Sequence, residues 1–124
     1  MSALARYFSA TAKKVAGYDK LPTNNTADLE KLGIEIHFND SLESIPELFK
    51  NKTTTLVVYT PAIPANHLEL NFFLNQNFQV MKRAEVLGMI TKNTFCFAVA
   101  GTHGKTTTSA ILGHIMQPYN ATSF

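Results

Sequence analysis

The chain has 124 residues, 45% hydrophobic and 16% charged, with a formal net charge of +2. That size and balance suit one small globular domain or parts of two. Lys and Arg are scattered without a basic block, which argues against nucleic acid or a membrane surface as a partner, and no apolar run reaches membrane-spanning length.

Residues 1–17 carry Arg6, Lys13 and Lys14 and no acid. Transit peptides and the first helix of an α/β domain share that pattern. We read a helix, with Leu4, Ala5, Phe8 and Ala12 on one face, because it runs without a break into a short strand, Val15–Tyr18. Leu21-Pro22-Thr23 turns the chain. A helix is expected over Thr26–Leu32, with Thr26 as N-cap, Leu29 and Leu32 facing inward, and Gly33 as its stop. Ile34–Phe38 alternates as a strand. Ser44–Phe49 reads as a short helix with Pro46 in its first turn. Thr54–Tyr59 is a continuous apolar run, the pattern of a strand covered on both faces. The rigid loop Thr60-Pro61-Ala62-Ile63-Pro64 follows at its carboxyl end. His67–Asn75 is expected to be helical, Phe78–Met81 a strand, and Arg83–Ile90 a helix with Ala84, Val86, Leu87 and Ile90 as its apolar set.

The most informative stretch comes next. The β-formers Phe95-Cys96-Phe97-Ala98-Val99-Ala100 lead into Gly101-Thr102-His103-Gly104-Lys105-Thr106, and then into a helical pattern with Ile111, Leu112, Ile115 and Met116 on one side. Strand, glycine loop and helix in that order form a phosphate-binding unit. Glycines let backbone N–H groups converge without a Cβ in the way, and the helix beginning at the lysine adds the positive end of its dipole. Lys105 would set its ammonium on the β/γ-phosphates and Thr106 its hydroxyl on Mg²⁺. The spacing is the short G-x-x-G-K-T, with Val99 where the longer pattern has its first glycine. A surface turn that happens to contain Gly and Lys is the bland alternative.

Helices and strands alternate throughout, which predicts an α/β fold with a parallel sheet flanked by helices. A boundary near Thr91-Lys92-Asn93 divides the chain into residues 1–92 and 93–124, the second part opening a new domain with the strand–P-loop–helix. The tail Gln117–Phe124 continues neither helix nor strand. Cys96, the single cysteine, rules out an internal disulfide, fits a reducing compartment, and reads as a small side chain in a buried strand. His37, His67, His103 and His114 show no metal spacing with one another or with Cys96, so no structural zinc is expected. Asn24-Asn25-Thr26, Asn51-Lys52-Thr53 and Asn120-Ala121-Thr122 match a glycosylation pattern that has no meaning without secretion.

AVAGTHGKTTTSAILGHI at Ala98–Ile115 resembles the ATP loop of the Mur ligases. VVYTPAIPANHLELN at Val57–Asn71, KRAEVLGMI at Lys82–Ile90, and MSALARYF with AGYDK at Ala16–Lys20 resemble the same family's first domain. The resemblance runs to about Met116. It implies a cytoplasmic, ATP- and Mg²⁺-dependent amide-forming ligase of peptidoglycan precursor synthesis. Its first domain would bind a UDP-sugar, its second ATP, and its third the amino acid. ATP would phosphorylate the carboxylate of UDP-N-acetylmuramate, and the amine of L-alanine would attack the acyl phosphate. Gly101, Thr102, His103, Gly104, Lys105, Thr106 and Thr107 would hold the ATP phosphates, with Lys105 as the catalytic cation and Thr106 as the Mg²⁺ ligand. His103 has a direct role or is tolerated for the loop's shape. Asp19 sits where an open α/β sheet places an acid near a nucleotide ribose. Thr60, Pro61, Ala62 and Ile63 sit at a strand's carboxyl end, where such sheets bind ligands. Arg83 reads as a diphosphate contact or a solvated helix charge. Two other readings remain: a recycling ligase that attaches a peptide to the same UDP-sugar, and a non-catalytic nucleotide-binding module.

In the family a strand and a glycine-rich turn precede the first helix, so Met1 looks internal to that turn. The chain is thus read as a fragment, inactive by itself, with an incomplete Rossmann-like sheet. In the strand order 3-2-1-4-5 the first strand is central. Without it, Val15–Tyr18 and Thr54–Tyr59 would face each other across two strand spacings, roughly 10 Å. Such a sheet is expected to collapse, to borrow a strand from another copy, or to aggregate.

Overall fold

The computed structural model describes residues 1–92 and 94–119. Asn93, at the expected boundary, and residues 120–124, which hold the end of the tail and the third glycosylation-like triplet, lie outside the described residues.

Helix α1 (Ser2–Ala10) is built from good helix formers and buries Leu4. It ends before Ala12, which takes a left-handed conformation (φ 58°) and leaves the face it was expected to share. Strand β1 (Ala16–Tyr18) follows, then α2 (Asn24–Lys31). The N-cap of α2 is Thr23, not Thr26. The Thr23 hydroxyl accepts from the Thr26 N–H (3.3 Å), while the Thr23 N–H donates to the Thr26 hydroxyl (2.8 Å). The two threonines form a reciprocal capping box that starts the helix earlier than its apolar spacing suggests. Thr26 is then buried at 3% exposure with both polar needs met. Gly33 closes α2 at φ 78°, the left-handed turn that glycine tolerates best. Leu29 and Ile34 are buried around that turn, whereas Leu32, expected to face inward, is exposed.

Strand β2 (Glu35–His37) pairs parallel with β1, in the register Gly17 opposite Ile36. The expected Ser44–Phe49 helix is instead two 3₁₀ turns, Leu42–Ser44 and Glu47–Lys50, split at Pro46. Proline pushes the residue before it into the extended region, and Ile45 sits there at ψ 116°. Strand β3 (Leu56–Tyr59) pairs parallel with β4 (Gln79–Lys82), Val57 opposite Val80. Between them α3 (Leu68–Asn75) buries Phe73, which packs edge-on against Phe72 and Phe78. Helix α4 (Arg83–Thr91) buries Val86 completely; Leu87 and Ile90 are half-buried, and Ala84 is exposed. The core is Leu4, Leu29, Ile34, Ile45, Phe73 and Val86.

The sheet divides in two. Among the described residues, β1 pairs only with β2, and β3 only with β4. All four residues of β3 are half-buried rather than covered on both faces, because the edge of β3 opens on a groove it shares with β1. The sheet is therefore interrupted between Ala16–Tyr18 and Leu56–Tyr59, the two strands expected to flank a gap. Residues 95–100 form no strand, and Cys96 is exposed rather than buried. Helix α5 (Lys105–Met116) forms as expected, but Ile111 and Ile115 on its apolar side are 56% and 60% exposed. Among the described residues, no helix is long and apolar enough to cross a membrane.

Candidate functional site

Two places bring functional side chains together. The first is the glycine loop. Gly104 is the N-cap of α5 and stands at φ 76°, a conformation a side chain would strain. It directs the chain into the helix so that the N–H groups of Lys105, Thr106 and Thr107 fall in the first turn, where a helix offers no internal acceptor. The Thr108 N–H is the first to close a helical bond, onto the Gly104 carbonyl at 2.9 Å. The Lys105 ammonium is folded back over the loop, donating to the carbonyls of Gly101 (2.6 Å) and Thr102 (3.4 Å). A cation held there beside three free N–H donors makes a concentrated positive patch, suited to a phosphate. His103 and Thr107 are exposed and make no hydrogen bond through their side chains among the described residues. No acidic residue follows Glu85, so any carboxylate ligand for a cation at Thr106 must come from outside the loop's own segment.

The second place is the groove between β1 and β3. Tyr18, His37 and Tyr59, at the carboxyl ends of three strands, line it together with Ile63, His67 and Glu69. That is the end where open parallel sheets bind ligands. Of the residues read from sequence as substrate contacts, only Ile63 reaches the groove. Thr60 lies beside it in a turn, with the Ile63 N–H donating to the Thr60 carbonyl (3.2 Å), and Ala62 is exposed. Asp19 is exposed just past β1, its carboxylate accepting from the Lys20 N–H (2.7 Å). Asp19 and Arg83 both lie within electrostatic range of the Met1 amine, which brings the carboxyl ends of β1 and β4 near the start of α1.

The polar cluster that shapes the groove leaves no signal in the sequence. Its members are spread over β2, the loop after it and the start of α3, and no spacing links them. Glu69, 6% exposed, meets His37 Nε2 at 2.7 Å. Asp40 caps α3 from a distance in sequence, its two oxygens accepting from the N–H groups of Leu68 (2.9 Å) and Glu69 (3.1 Å). His67 is the local N-cap; its Nδ1 accepts from the Leu70 N–H (3.3 Å). Tyr18 sets its ring edge-on to His67, centroids 4.5 Å apart. His67 Nε2 is buried without a hydrogen-bond partner. Among the described residues, no group of three or more His, Cys, Asp or Glu is placed to hold a metal ion.

Partial burial pushes the Asp40 carboxyl up, but the two backbone donors and the imidazoles of His67 and His37 together hold it below its ordinary value. A lowered carboxylate pKa adds stability above the unfolded value, near pH 4, and that stability is lost as the pH falls through the folded value. Asp40→Ala should therefore destabilise the chain by about 1 kcal/mol at neutral pH, the scale of a lost helix cap. Urea unfolding at a series of pH values should show the difference from the parent chain fading below about pH 4. A difference that stays constant down to acid pH would contradict the capping role.

A profile of the Mur ligase family, catalytic domain, matches residues 1–94. The chain is 58% identical over 121 residues to UDP-N-acetylmuramate–L-alanine ligase of Flavobacterium johnsoniae, covering 98% of the chain and 27% of that protein. It is 52% identical over 122 residues to the same-named protein of Christiangramia forsetii, covering 98% of the chain and 27% of the relative. With that of Parabacteroides distasonis it shares 55% over 117 residues, 94% of the chain and 25% of the relative. The chain thus spans about a quarter of the length of these curated relatives.

Proposed function

Because the chain belongs to the Mur ligase family, we propose that it is a segment of an ATP-dependent ligase that joins L-alanine to UDP-N-acetylmuramate in peptidoglycan precursor synthesis, in the cytoplasm. The observation that carries this reading is the match to ligases of that name over 98% of the chain, which takes in the glycine loop as well as the first domain. The segment VVYTPAIP followed by KRAEVLG favours the alanine enzyme over the recycling ligase.

In this reading residues 1–92 bind the UDP-sugar and residues 93–124 begin the ATP-binding domain. ATP, with Mg²⁺, supplies the phosphoryl group that activates the sugar's carboxylate. The chain's own part is binding and orientation. The first-turn N–H groups of α5 and the Lys105 ammonium would receive the phosphates, Gly101–Thr107 would shape the cradle, and the Thr106 hydroxyl would be the chain's ligand to the metal. The residues fit that role, because the ammonium is already held at the loop by two carbonyls that a phosphate oxygen would outcompete as a partner. Asp19, Thr60, Ala62 and Ile63 are proposed on the UDP-sugar side.

A segment exchange tests the reading. Residues 1–116 of this chain would replace the matching stretch of the F. johnsoniae ligase, with phosphate release measured in the presence of ATP, Mg²⁺, UDP-N-acetylmuramate and L-alanine. Phosphate release that depends on both alanine and the sugar nucleotide, within about tenfold of the parent, is expected, since a misplacement of about 1 Å already costs 10²-fold. A folded chimera that uses a peptide instead of alanine would favour the recycling ligase. A folded chimera that binds nucleotide without releasing phosphate would favour a non-catalytic module.

A further inference from the structure

We propose that Asn71, early in α3, is a positioning residue for the sugar nucleotide: its amide fixes the loop of residues 60–67 in the shape that presents Thr60, Ala62 and Ile63. The inference rests on the reading above that these three residues lie on the UDP-sugar side. The loop runs from the carboxyl end of β3 to the start of α3. It is built from two consecutive turns. In the first, the Ile63 N–H donates to the Thr60 carbonyl (3.2 Å), with Pro61 at the second position, where its fixed φ suits a turn. In the second, the His67 N–H donates to the Pro64 carbonyl (3.1 Å). Each turn has an anchor. Ile63 is half-buried, and the Asp40 carboxylate receives the N–H groups of Leu68 and Glu69 just past His67. Between those anchors, Ala65 and Asn66 are exposed.

Asn71 closes this exposed stretch from two sides. Its backbone N–H donates to the His67 carbonyl (3.1 Å). Its side-chain amide reaches back six residues and donates to the Ala65 carbonyl at 3.0 Å. A carbonyl only accepts, so the amide must face it with its nitrogen, and the contact depends on a donor at that place. Helix formation alone favours alanine over asparagine at position 71. The contact lies at the surface, where water could take over as the donor to Ala65 at little cost in stability. What water does not supply is a fixed loop shape. A loop held in its binding conformation before the ligand arrives lowers the ordering cost of binding. Pro61 and Pro64 act in the same sense by fixing φ on either side of Ala62 and Ile63.

Steady-state kinetics of the chimeric ligase, with thermal unfolding run alongside, test the proposal. Asn71→Ala should raise KM for UDP-N-acetylmuramate about three- to tenfold, the scale of one lost hydrogen bond. KM for ATP and kcat should stay within about twofold, and Tm should be unchanged or raised. Asn71→Asp keeps the size but cannot donate, and should show the same loss. Calorimetric titration with UDP-N-acetylmuramate should give the matching change in Kd without turnover. Ala62→Glu is the control on the loop itself: it sets bulk and negative charge in the presented turn and should raise the same KM by more than about tenfold, because like charges brought together at an interface repel strongly. If Ala62→Glu raises that KM and Asn71→Ala does not, the loop meets the sugar nucleotide without Asn71 positioning it, and the proposal alone falls. If neither variant moves it, the reading of the loop falls and takes the proposal with it. The proposal is also overturned by a rise with Asn71→Ala and none with Ala62→Glu, by a loss confined to Tm, by a loss in kcat or in KM for ATP, or by an Asn71→Asp variant that behaves like the parent.

Discussion

His37→Ala should destabilise the chain by about 1–3 kcal/mol, the cost of leaving a buried acceptor without its hydrogen-bond partner. Glu69 is the reason. Its side chain is 8% exposed, and His37 Nε2, at 2.7 Å, is the partner its carboxylate has. Without the imidazole the carboxylate is left buried and unpaired, or must take up a proton. Either route weakens the fold, because a buried polar group left without a partner costs more than the hydrogen bond contributes when intact. Glu69 also sits in the first turn of α3, where Asp40 receives its N–H, so the damage should spread to the cap and to the loop that begins at Thr60. The double variant His37→Ala with Glu69→Leu separates the two effects. It should recover much of the loss, since an apolar side chain of similar size asks for no partner. Urea unfolding of the four members of the cycle measures the coupling. A single-variant loss below about 1 kcal/mol, the worth of an exposed pair, would show that Glu69 finds another partner.

That cluster marks the limit of what the sequence revealed. The periodic elements were legible: α3, β3, α4 and α5 lie within a few residues of where spacing put them, because apolar periodicity and the glycines at 33 and 104 act locally. Departures arose where a side chain or a ring overrode that pattern. Thr23 captured the N-cap because it could bond reciprocally with Thr26, and Pro46 divided one expected helix into two turns. The strand expected at 95–100 depends on a neighbour to pair with, and composition cannot supply one. The glycine loop was readable because its residues form one contiguous stretch. The groove was not. Tyr18, His37, Asp40, His67 and Glu69 meet only after β1, β2 and α3 are in place, and Thr60 and Ala62, chosen by their position after a strand, stay outside its lining.

Lys105→Ala in the chimeric ligase should lower turnover by about 10²–10³-fold, the effect of removing one preorganised group that meets developing charge, or about 3–4 kcal/mol in barrier. The side chain is exposed, and its contacts within the chain are the carbonyls of Gly101 and Thr102. Neither carbonyl is buried, so both turn to water when the ammonium is gone, and thermal unfolding should be unchanged. The loss would then lie in chemistry rather than in folding. Lys105→Arg should not rescue it. A guanidinium keeps the charge but is a wider, planar fork and does not fit a cradle shaped around a compact ammonium. Thr106→Ala offers a contrast, because its hydroxyl is assigned to the cation: raising the Mg²⁺ concentration should recover part of its activity and none of the activity of Lys105→Ala. Phosphate release with alanine present, measured over a range of ATP and Mg²⁺ concentrations, reports all three variants. Near-normal turnover in Lys105→Ala would mean that the loop's lysine does not meet the transferred phosphoryl group, and the phosphate-loop assignment would fall with it.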